Sequence, residues 1–377
     1  MSKPSEQRTI NLLNLMAKLI YPTWYHDRQP FLVSLYYKQD KLFGVMGPLG
    51  LTIFQQDWWL KIARGSARLK EVQVHRANGV VVGSLTYIVR RNTLGIPSGG
   101  GPHLSRISGP IVSQNLSDEE KSRVLVQLIE RLPNISFTFS ISEHTPNARL
   151  IRQAFKYAGF ECLDQINYSQ PPGDVINRLG VKLREHIKQA HKKLDVINID
   201  PDHFVSFYQA NLKAAGNKKS YFPIEVAREL ITQGMKREPP QTRIIAASRK
   251  RLQRPSEQPA IDAAICIVWD NERCYYWLST HHKEAYRDAI KLLIVTAMEH
   301  ARKLGLIFDA DCLNTPGSQK LFKTIFGMPN EEKRYIFTRS SRWSQLYEGH
   351  RSKIDKIKKF TIGSFQFIEF EKANSYN

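Results

Sequence analysis

Hydrophobic residues in the first half of the chain show two periodicities, that of a helix and that of a strand. The stretch "FQQDWWLKIARG" (54–65) has the helical period. The stretch "LKEVQVHRANGVVVGSLTYIVRR" (69–91) alternates as two strands do, and its Asn78-Gly79 pair is typical of a tight hairpin turn. A loop rich in Gly and Pro (95–102) follows. The pattern predicts a helix, a β-hairpin and a loop.

The remainder of this half predicts alternating helices and strands. Ser117, with Glu120 three residues later, has the spacing of a capping box that starts a helix. The segments "ISFTFSI" (135–141) and "ECLDQINYSQ" (161–170) have the composition of strands. The segment between them predicts a helix that Gly159 ends.

The second half repeats this order of elements. Three helices come first, at 183–194, 200–216 and 222–237. Strands, helices and a second hairpin turn at Asp270-Asn271 then alternate, with strands at 242–248, 260–269, 272–282, 306–312 and 333–339 and helices at 286–304 and 318–327. Because one α/β order occurs twice, we expect two copies of one folding unit. The predicted domains are residues 1–172 and 173–341, with a basic extension at 342–377.

Charge points to the kind of partner. The 377 residues include 55 Lys and Arg against 35 Asp and Glu, a formal net charge of +20. Such an excess attracts polyanions, including nucleic acid, anionic lipid and phosphate-bearing substrates. Four basic residues on one predicted helix are the candidates for binding substrate phosphate: Lys182, Arg184, Lys188 and Lys192. The alternative is a solvated helix face with no partner.

Two features of the sequence predict a cytoplasmic protein. The N-terminal "MSKPSEQRT" lacks the apolar segment of a secretory signal. The longest apolar runs are also far shorter than the ~20 residues that a membrane span requires. With no transmembrane segment, contact with a membrane is expected only at its surface, through the basic clusters.

Several of these stretches resemble a known family. "FQQDWWLKIARG", "VVVGSLTYIVRR" and "LSRISGPIV" resemble the first domain of the Fem-like, tandem GNAT-fold N-acyltransferases. "LREHIKQAHKKLDV" and "GLIFDADCLNTPGSQKLFKTIFG" resemble the second domain, so the likeness covers about residues 50–340. It implies an α/β fold of two tandem GNAT-like domains, each a mixed sheet flanked by helices. It also implies an acyltransferase that uses acyl-CoA or aminoacyl-tRNA as co-substrate, with no tightly bound cofactor.

The resemblance places the donor where two parallel strands separate and a helix begins. Free amides and the positive dipole end of that helix suit a phosphate or pyrophosphate. In this chain the turn before the helix is "KEAYRDA", and the implied cofactor-binding residues are Lys283, Arg287, Asp288 and Ala289. No glycine occurs between Gly234 and Gly305, so the glycine-containing turn of ordinary acetyltransferases is missing.

The two histidines just before this turn are candidates for handling the nucleophilic amine. His281 and His282 are neighbours on a predicted strand, so their side chains point to opposite faces and cannot readily bind one metal ion. One of them can face the cleft and orient or deprotonate the amine. The alternative is that both are structural residues held by hydrogen bonds.

Two acids on the next strand are the other candidates for the chemistry. Asp309 and Asp311 are two residues apart, which places them on one face of a strand. Asp311 is expected to bind or deprotonate the acceptor ammonium, although both acids could instead cap the following loop and helix. Tyr286, or alternatively Tyr276, is expected to supply an oxyanion contact and a final proton.

The function predicted from the sequence is acyl transfer to an amine of a larger, anionic acceptor. No nucleophile motif is present, so the amine is expected to attack the donor directly in a ternary complex. An acyl-CoA donor is favoured, because residues 198–245 leave no room for the long helical hairpin of tRNA-using relatives. Aminoacyl transfer from tRNA is the alternative. A different class also stays open, a non-catalytic protein that binds nucleic acid or an acidic partner.

Overall fold

The chain forms an α/β structure whose elements follow the predicted order. The computed structural model describes residues 51–92, 95–216, 220, 222–250, 260–311, 316–327 and 329–341. In the first half, a 3₁₀ turn at Ile53–Gln55 precedes α1 (Asp57–Ala63), β1 (Arg68–His75), β2 (Val81–Arg91), β3 (Pro97–Gly100), β4 (Ile111–Val112), α2 (Asp118–Glu130), β5 (Ser136–Ser142), α3 (Ala148–Tyr157) and β6 (Glu161–Gln170).

The second half begins with helices, as the sequence predicts. Its elements are α4 (Val175–Arg178), α5 (Val181–Lys193), β7 (Leu194–Asn198), α6 (Pro201–Ala214), α7 (Ile224–Lys236), β8 (Thr242–Arg249), β9 (Ile261–Trp269), β10 (Arg273–His281), α8 (Ala289–Lys303), β11 (Ile307–Asp309), α9 (Pro316–Phe326) and β12 (Asn330–Arg339). Within the described residues, no helix is both long and apolar enough to cross a lipid bilayer.

All twelve described strands belong to one mixed sheet. Its order is β1-β2-β3-β5-β12-β6-β11-β10-β9-β8-β7, and β4 pairs with β2 beside this path. Helices α5, α8 and α9 share a core on one face of the second half, and α1, α6 and α7 share a core on the other face. In the first half, α2 and α3 pack on the sheet. Strand β8 is buried along most of its length, as expected for a strand covered on both faces.

Local signals in the sequence place several turns correctly. Gly79 takes a positive φ of 79° in the turn between β1 and β2, a conformation that glycine adopts without strain. Both hydrogen bonds of the capping box between Ser117 and Glu120 are present at the start of α2. The predicted secondary structure is therefore confirmed where a short motif specifies it.

The loop predicted at 95–102 is wrong in its central part, because Pro97–Gly100 forms β3 between β2 and β5. The glycines that suggested a loop instead allow close packing. A Cβ atom on Gly99 would lie 2.1 Å from the ring of Phe137, and one on Gly100 would lie 2.6 Å from the carbonyl oxygen of Thr138. Glycine is needed here because a neighbouring strand approaches closely.

Two further elements have other boundaries than predicted, and one strand was missed. The helix predicted at 286–304 begins three residues later, at Ala289. The strand predicted at 306–312 is only Ile307–Asp309. Strand β7 (Leu194–Asn198) was not predicted, because five residues directly after a helix carry little periodic signal.

The two halves exchange strands at the centre of the sheet. Strand β6 of the first half pairs with β11 of the second half, and β12 at the end of the second half lies between β5 and β6. The sheet therefore continues across the predicted boundary at residue 172. The division into two GNAT-like domains stays a prediction, and the predicted extension at 342–377 lies outside the described residues.

A buried ionic network holds this seam. Arg273 on β10 donates to Glu332 on β12 at 2.8 and 3.2 Å and to Asp309 on β11 at 3.1 Å. Arg334 on β12 has no exposed side-chain surface and lies 3.5 Å from Asp309. Asn167 on β6 donates a further hydrogen bond to Asp309 at 2.9 Å. One polar network thus joins β6 of the first half to β10, β11 and β12 of the second half.

We predict that Arg334→Met destabilises the protein by about 3–5 kcal/mol, because it leaves the buried carboxylates without one of their cations. Urea unfolding of the purified protein measures the change. The matched control is Lys333→Met on the same strand, where the side chain is 57% exposed and its ion pair with Asp164 spans 3.3 Å. The control should cost less than about 1 kcal/mol. Equal losses for the two variants would contradict a stabilising network at the seam.

Candidate active site where β10 and β11 separate

The candidate site begins where two parallel strands stop pairing. Strand β10 pairs with β11 from Arg273 to Tyr275, opposite Ile307 to Asp309. Strand β10 then continues to His281, and a bulge between Tyr276 and Leu278 interrupts its pairing with β9. Among the described residues, the second part of β10 has no strand partner on its β11 side. The backbone edge of β10 is therefore available to another group.

Arg106 spans this gap from the first half of the chain. Its NH2 group donates to the carbonyl oxygen of Trp277 on β10 at 3.2 Å. Its Nε atom lies 2.8 Å from a carboxylate oxygen of Asp311, just after β11. The indole N–H of Trp277 donates to the carbonyl oxygen of Leu104 at 3.1 Å, so the loop that carries Arg106 is itself attached to β10. One side chain thus bridges the two separating strands.

Asp311 lies at the end of the gap in an unusual environment. Its side chain is fully buried, and its φ of 55° is in the left-handed region. Burial raises the pKa of its carboxyl group to about 6, although Arg106 and Arg334 oppose the rise. One carboxylate oxygen lies 2.8 Å from the Nε atom of Arg106, and the other lies 3.7 Å from Arg334. Asp311 is therefore an acid that titrates close to neutral pH.

The two predicted histidines lie at the other side of the gap, at the end of β10. Both side chains are exposed. Partial withdrawal of the His281 ring from water lowers the pKa of its imidazole, so this ring is neutral at pH 7. The Nδ1 atom of His282 accepts a hydrogen bond from the backbone N–H of Glu284 at 3.2 Å. His282 thus supports the turn, while His281 has a solvent-accessible ring.

The turn before α8 places the predicted donor-binding residues in different environments. Lys283 and Arg287 are exposed, and the Arg287 side chain retains 77% of its accessible surface. Ala289 is buried at the first position of α8. The half-buried Tyr286 packs against the core, and its backbone N–H donates to Asp262 at 2.8 Å. The turn therefore presents two cations to solvent.

Asp288 does not face solvent with these cations. Its carboxylate is buried at the start of α8 and accepts a hydrogen bond from Lys291 at 2.8 Å. Burial raises the pKa of this carboxyl group, but Lys291, His186 and Arg287 outweigh burial and lower the pKa below its ordinary value. Asp288 is therefore ionised, and its charge compensates the positive end of the helix dipole. A phosphate at this helix would depend on Lys283 and Arg287 for its positive partners.

The basic residues predicted to bind phosphate all lie on the outer face of α5. Lys182, Arg184, Lys188 and Lys192 are exposed, whereas the opposite face of the helix is buried through Leu183, Ile187 and Ala190. That buried face packs in the same core as α8. His186 lies 3.6 Å from Asp288, which ties α5 to the start of α8. Helix α5 and the turn before α8 are thus neighbours.

The structure therefore groups the predicted residues into two sets. His281, Lys283 and Arg287 are exposed around the start of α8, and Asp311 is buried across the gap. Sequence reasoning missed Arg106, which meets Asp311 through a long-range contact. In the sequence, one arginine in a loop among Gly and Ser residues gave no signal of its partner.

No group of three or more metal-binding side chains occurs within the described residues. An open groove of about 800 Å³ lies at the other end of the strands, near the C-terminal end of α8. Met235, Trp269 and His300 are among the residues that line it. Its position separates it from the gap by the length of that helix. The groove is not part of the candidate site.

Comparison with known proteins gives likeness of structure only. No family model matches the sequence, and no curated protein matches it. A crystal structure of FemX superimposes with a TM-score of 0.59 at 12% identity, covering 83% of this chain and 98% of that one. The structure of L-PGS from Bacillus licheniformis matches with a TM-score of 0.45 at 12% identity, covering 75% of this chain and 87% of that one.

A GCN5-related N-acetyltransferase from Sphaerobacter thermophilus also matches, with a TM-score of 0.39 at 14% identity over 72% of this chain and 81% of that one. The likeness to FemX carries the conclusion, because it covers nearly the whole of that protein. It confirms the Fem-like fold that the sequence resemblance implies. At this identity the likeness shows the fold alone.

We predict that Arg106→Gln raises the pKa of Asp311 above 6 by roughly one unit, because it removes a positive charge that stabilises the carboxylate. Carbon-13 NMR of labelled aspartate carboxyls, followed against pH, measures the shift. Arg91→Gln is the matched control, since the exposed Arg91 donates to the Gly95 carbonyl of its own loop. An unchanged Asp311 titration in the Arg106 variant would show that the two side chains are not paired in solution.

Proposed function

We propose that this protein is an N-acyltransferase that moves an acyl group from an activated donor to an amine of a larger, anionic acceptor. The observation that carries the proposal is the separation of β10 from β11 beyond Tyr275, which leaves a strand edge beside the start of α8. An extended acyl-carrying arm can pair with such an edge. The FemX-like fold supports this proposal, because the sequence resemblance that implies this fold also implies acyl transfer.

The chemistry requires a deprotonated amine close to the donor carbonyl. The amine nitrogen forms a bond to the carbonyl carbon, and the bond from that carbon to the donor sulfur or oxygen breaks. We assign the amine proton to Asp311, whose pKa of about 6 makes it a stronger base than an ordinary aspartate. His281 is the neutral alternative, and Tyr286 is assigned to protonate the leaving group.

Arg106 is central to access in this proposal. It occupies the space between Trp277 and Asp311, so an acyl arm that enters the gap must displace or stack beside its guanidinium group. Displacement would expose Asp311 to the incoming amine. The same displacement of Arg106 would therefore admit the acyl arm to the gap and give the amine access to Asp311.

The donor class stays a proposal. Acyl-CoA needs a phosphate-binding turn, and Lys283 and Arg287 are exposed there. Aminoacyl-tRNA needs an extended basic surface, and α5, whose outer face is basic, contacts the start of α8 through His186 and Asp288. Native mass spectrometry of the purified protein distinguishes the two donors, because co-purified coenzyme A and tRNA differ greatly in mass.

A non-catalytic protein that binds a polyanion is the second candidate, and Arg106 is the observation that favours it. The gap in this structure already contains a side chain that pairs with both of its edges. Turnover decides between the candidates. Hydrolysis or amine transfer with any member of an acyl-CoA and aminoacyl-tRNA panel supports the enzyme, and salt-dependent binding without turnover supports the second candidate.

We predict that Arg287→Ala weakens donor binding by roughly 10- to 100-fold, the effect of losing a hydrogen bond to a charged group. Isothermal titration with coenzyme A, and separately with an aminoacyl-tRNA, measures affinity. Arg302→Ala is the matched control, because Arg302 lies in the last turn of α8, at the far end of the helix that follows Arg287, and pairs with Glu299 at 2.9 Å. The control should bind normally. Equal affinity for the two variants would place the donor elsewhere.

We predict that kcat/KM rises as the pH increases through about 6, because only ionised Asp311 accepts the amine proton and this parameter reports the free enzyme, in which Arg106 is still paired with Asp311. Below this pH the group is protonated and inactive as a base. Asp311→Asn should remove this limb of the pH profile and lower kcat by 100-fold or more, with donor affinity retained. A variant that keeps both the rate and the pH limb would exclude Asp311 as the base.

A further inference from the structure

Two large apolar side chains, five residues apart in the sequence, are exposed where the chain enters α5. Ile176 on α4 keeps 45% of its accessible surface, and Val181 at the start of α5 keeps 76%. They are separated by the buried Leu179, which anchors the segment in the core. Solvent-exposed apolar residues of this size are informative when they occur together beside a charged surface.

The exposed residues of α5 extend this surface with positive charge. Val181, Lys188 and Lys192 are seven and eleven residues apart, so they lie on one side of the helix, directly opposite its buried face. Lys182 and Arg184 flank this side. Within the described part of the chain, none of these four cations forms an ion pair. Glu185 is the only acid in the helix.

A bilayer with anionic headgroups fits this combination of side chains. Helices that lie in a membrane interface place apolar residues into the boundary between headgroups and acyl chains, while Lys and Arg contact anionic lipid. Single-stranded RNA is instead bound mainly by Phe, Tyr and Trp side chains that stack on bases, and α5 contains none of these three residue types. The apolar pair would contribute nothing to contacts with phosphates of a duplex.

We propose that the outer face of α5, together with Ile176 and Val181, docks the protein on an anionic lipid bilayer. This inference does not depend on the proposed acyl transfer. It has a consequence for the candidate site, because His186 on α5 lies 3.6 Å from Asp288 at the start of α8. Docking through α5 holds the turn before α8 close to the membrane surface, where a membrane-attached acceptor would be within reach.

Sedimentation of the full-length protein with vesicles tests the proposal. We expect binding to vesicles of phosphatidylcholine with one quarter phosphatidylglycerol, and at least tenfold weaker binding to phosphatidylcholine alone. Lys188→Gln with Lys192→Gln should weaken binding roughly 30-fold, because two cations leave the anionic surface. Val181→Ser should weaken it roughly tenfold through loss of apolar insertion.

Two control variants change the same properties elsewhere on the surface. Arg68→Gln with Lys70→Gln removes two exposed charges from β1, and Leu163→Ser removes a side chain that is 61% exposed on β6. Both controls should bind vesicles like the unmodified protein. All variants alter exposed residues, and thermal unfolding verifies that each is folded.

Three results would overturn the proposal. The first is the absence of binding to either type of vesicle. The second is vesicle binding that the α5 variants and the control variants reduce equally, which would indicate attraction by net charge alone. The third is binding of a tRNA mixture, but not of anionic vesicles, that the Lys188 and Lys192 changes abolish, which would assign the same face to RNA.

Discussion

The buried ion pairs between Arg273, Asp309, Glu332 and Arg334 are the interaction on which the central sheet depends. A charge removed from water is tolerated only with a partner, so each of these residues restricts where the others can lie. Together they fix the relative positions of β10, β11 and β12. The separation of β10 from β11 begins at Asp309 itself. The residue that completes the network thus also marks where the candidate site opens.

Most of the secondary structure could be predicted because its signals are local. The Asn78-Gly79 turn, the capping box at Ser117 and the glycine after α3 each act within a few residues. The exchange of β6 and β12 could not be predicted in this way, since strand pairing depends on residues far apart in the sequence. Strand β3 was missed for a related reason, because the need for Gly99 arises from Phe137 on another strand.

The candidate site was predictable in part. Two acids at alternate positions and a turn with two exposed cations drew attention to the region that the structure identifies as a gap. The partner of Asp311 was not predictable, because the loop that carries Arg106 reaches β10 across the molecule. A shift of three residues in the start of α8 also changed the environment of Asp288. Asp288 was an expected ligand of the donor, and in the structure its carboxylate is buried and paired with Lys291.

The position of β12 has a consequence for synthesis of the chain on the ribosome. Strand β5 of the first half has β12 as a neighbour, yet β12 is made almost two hundred residues later. Until Asn330–Arg339 emerges, the nascent first half has an unpaired edge at β5, and the ring of Phe155 lacks the stacking partner that Phe337 provides. Such an edge is prone to pair with other chains. Folding of the first half is therefore complete only after β12 has been synthesised. A chain that terminates before β12 leaves the β5 edge of the first half unpaired.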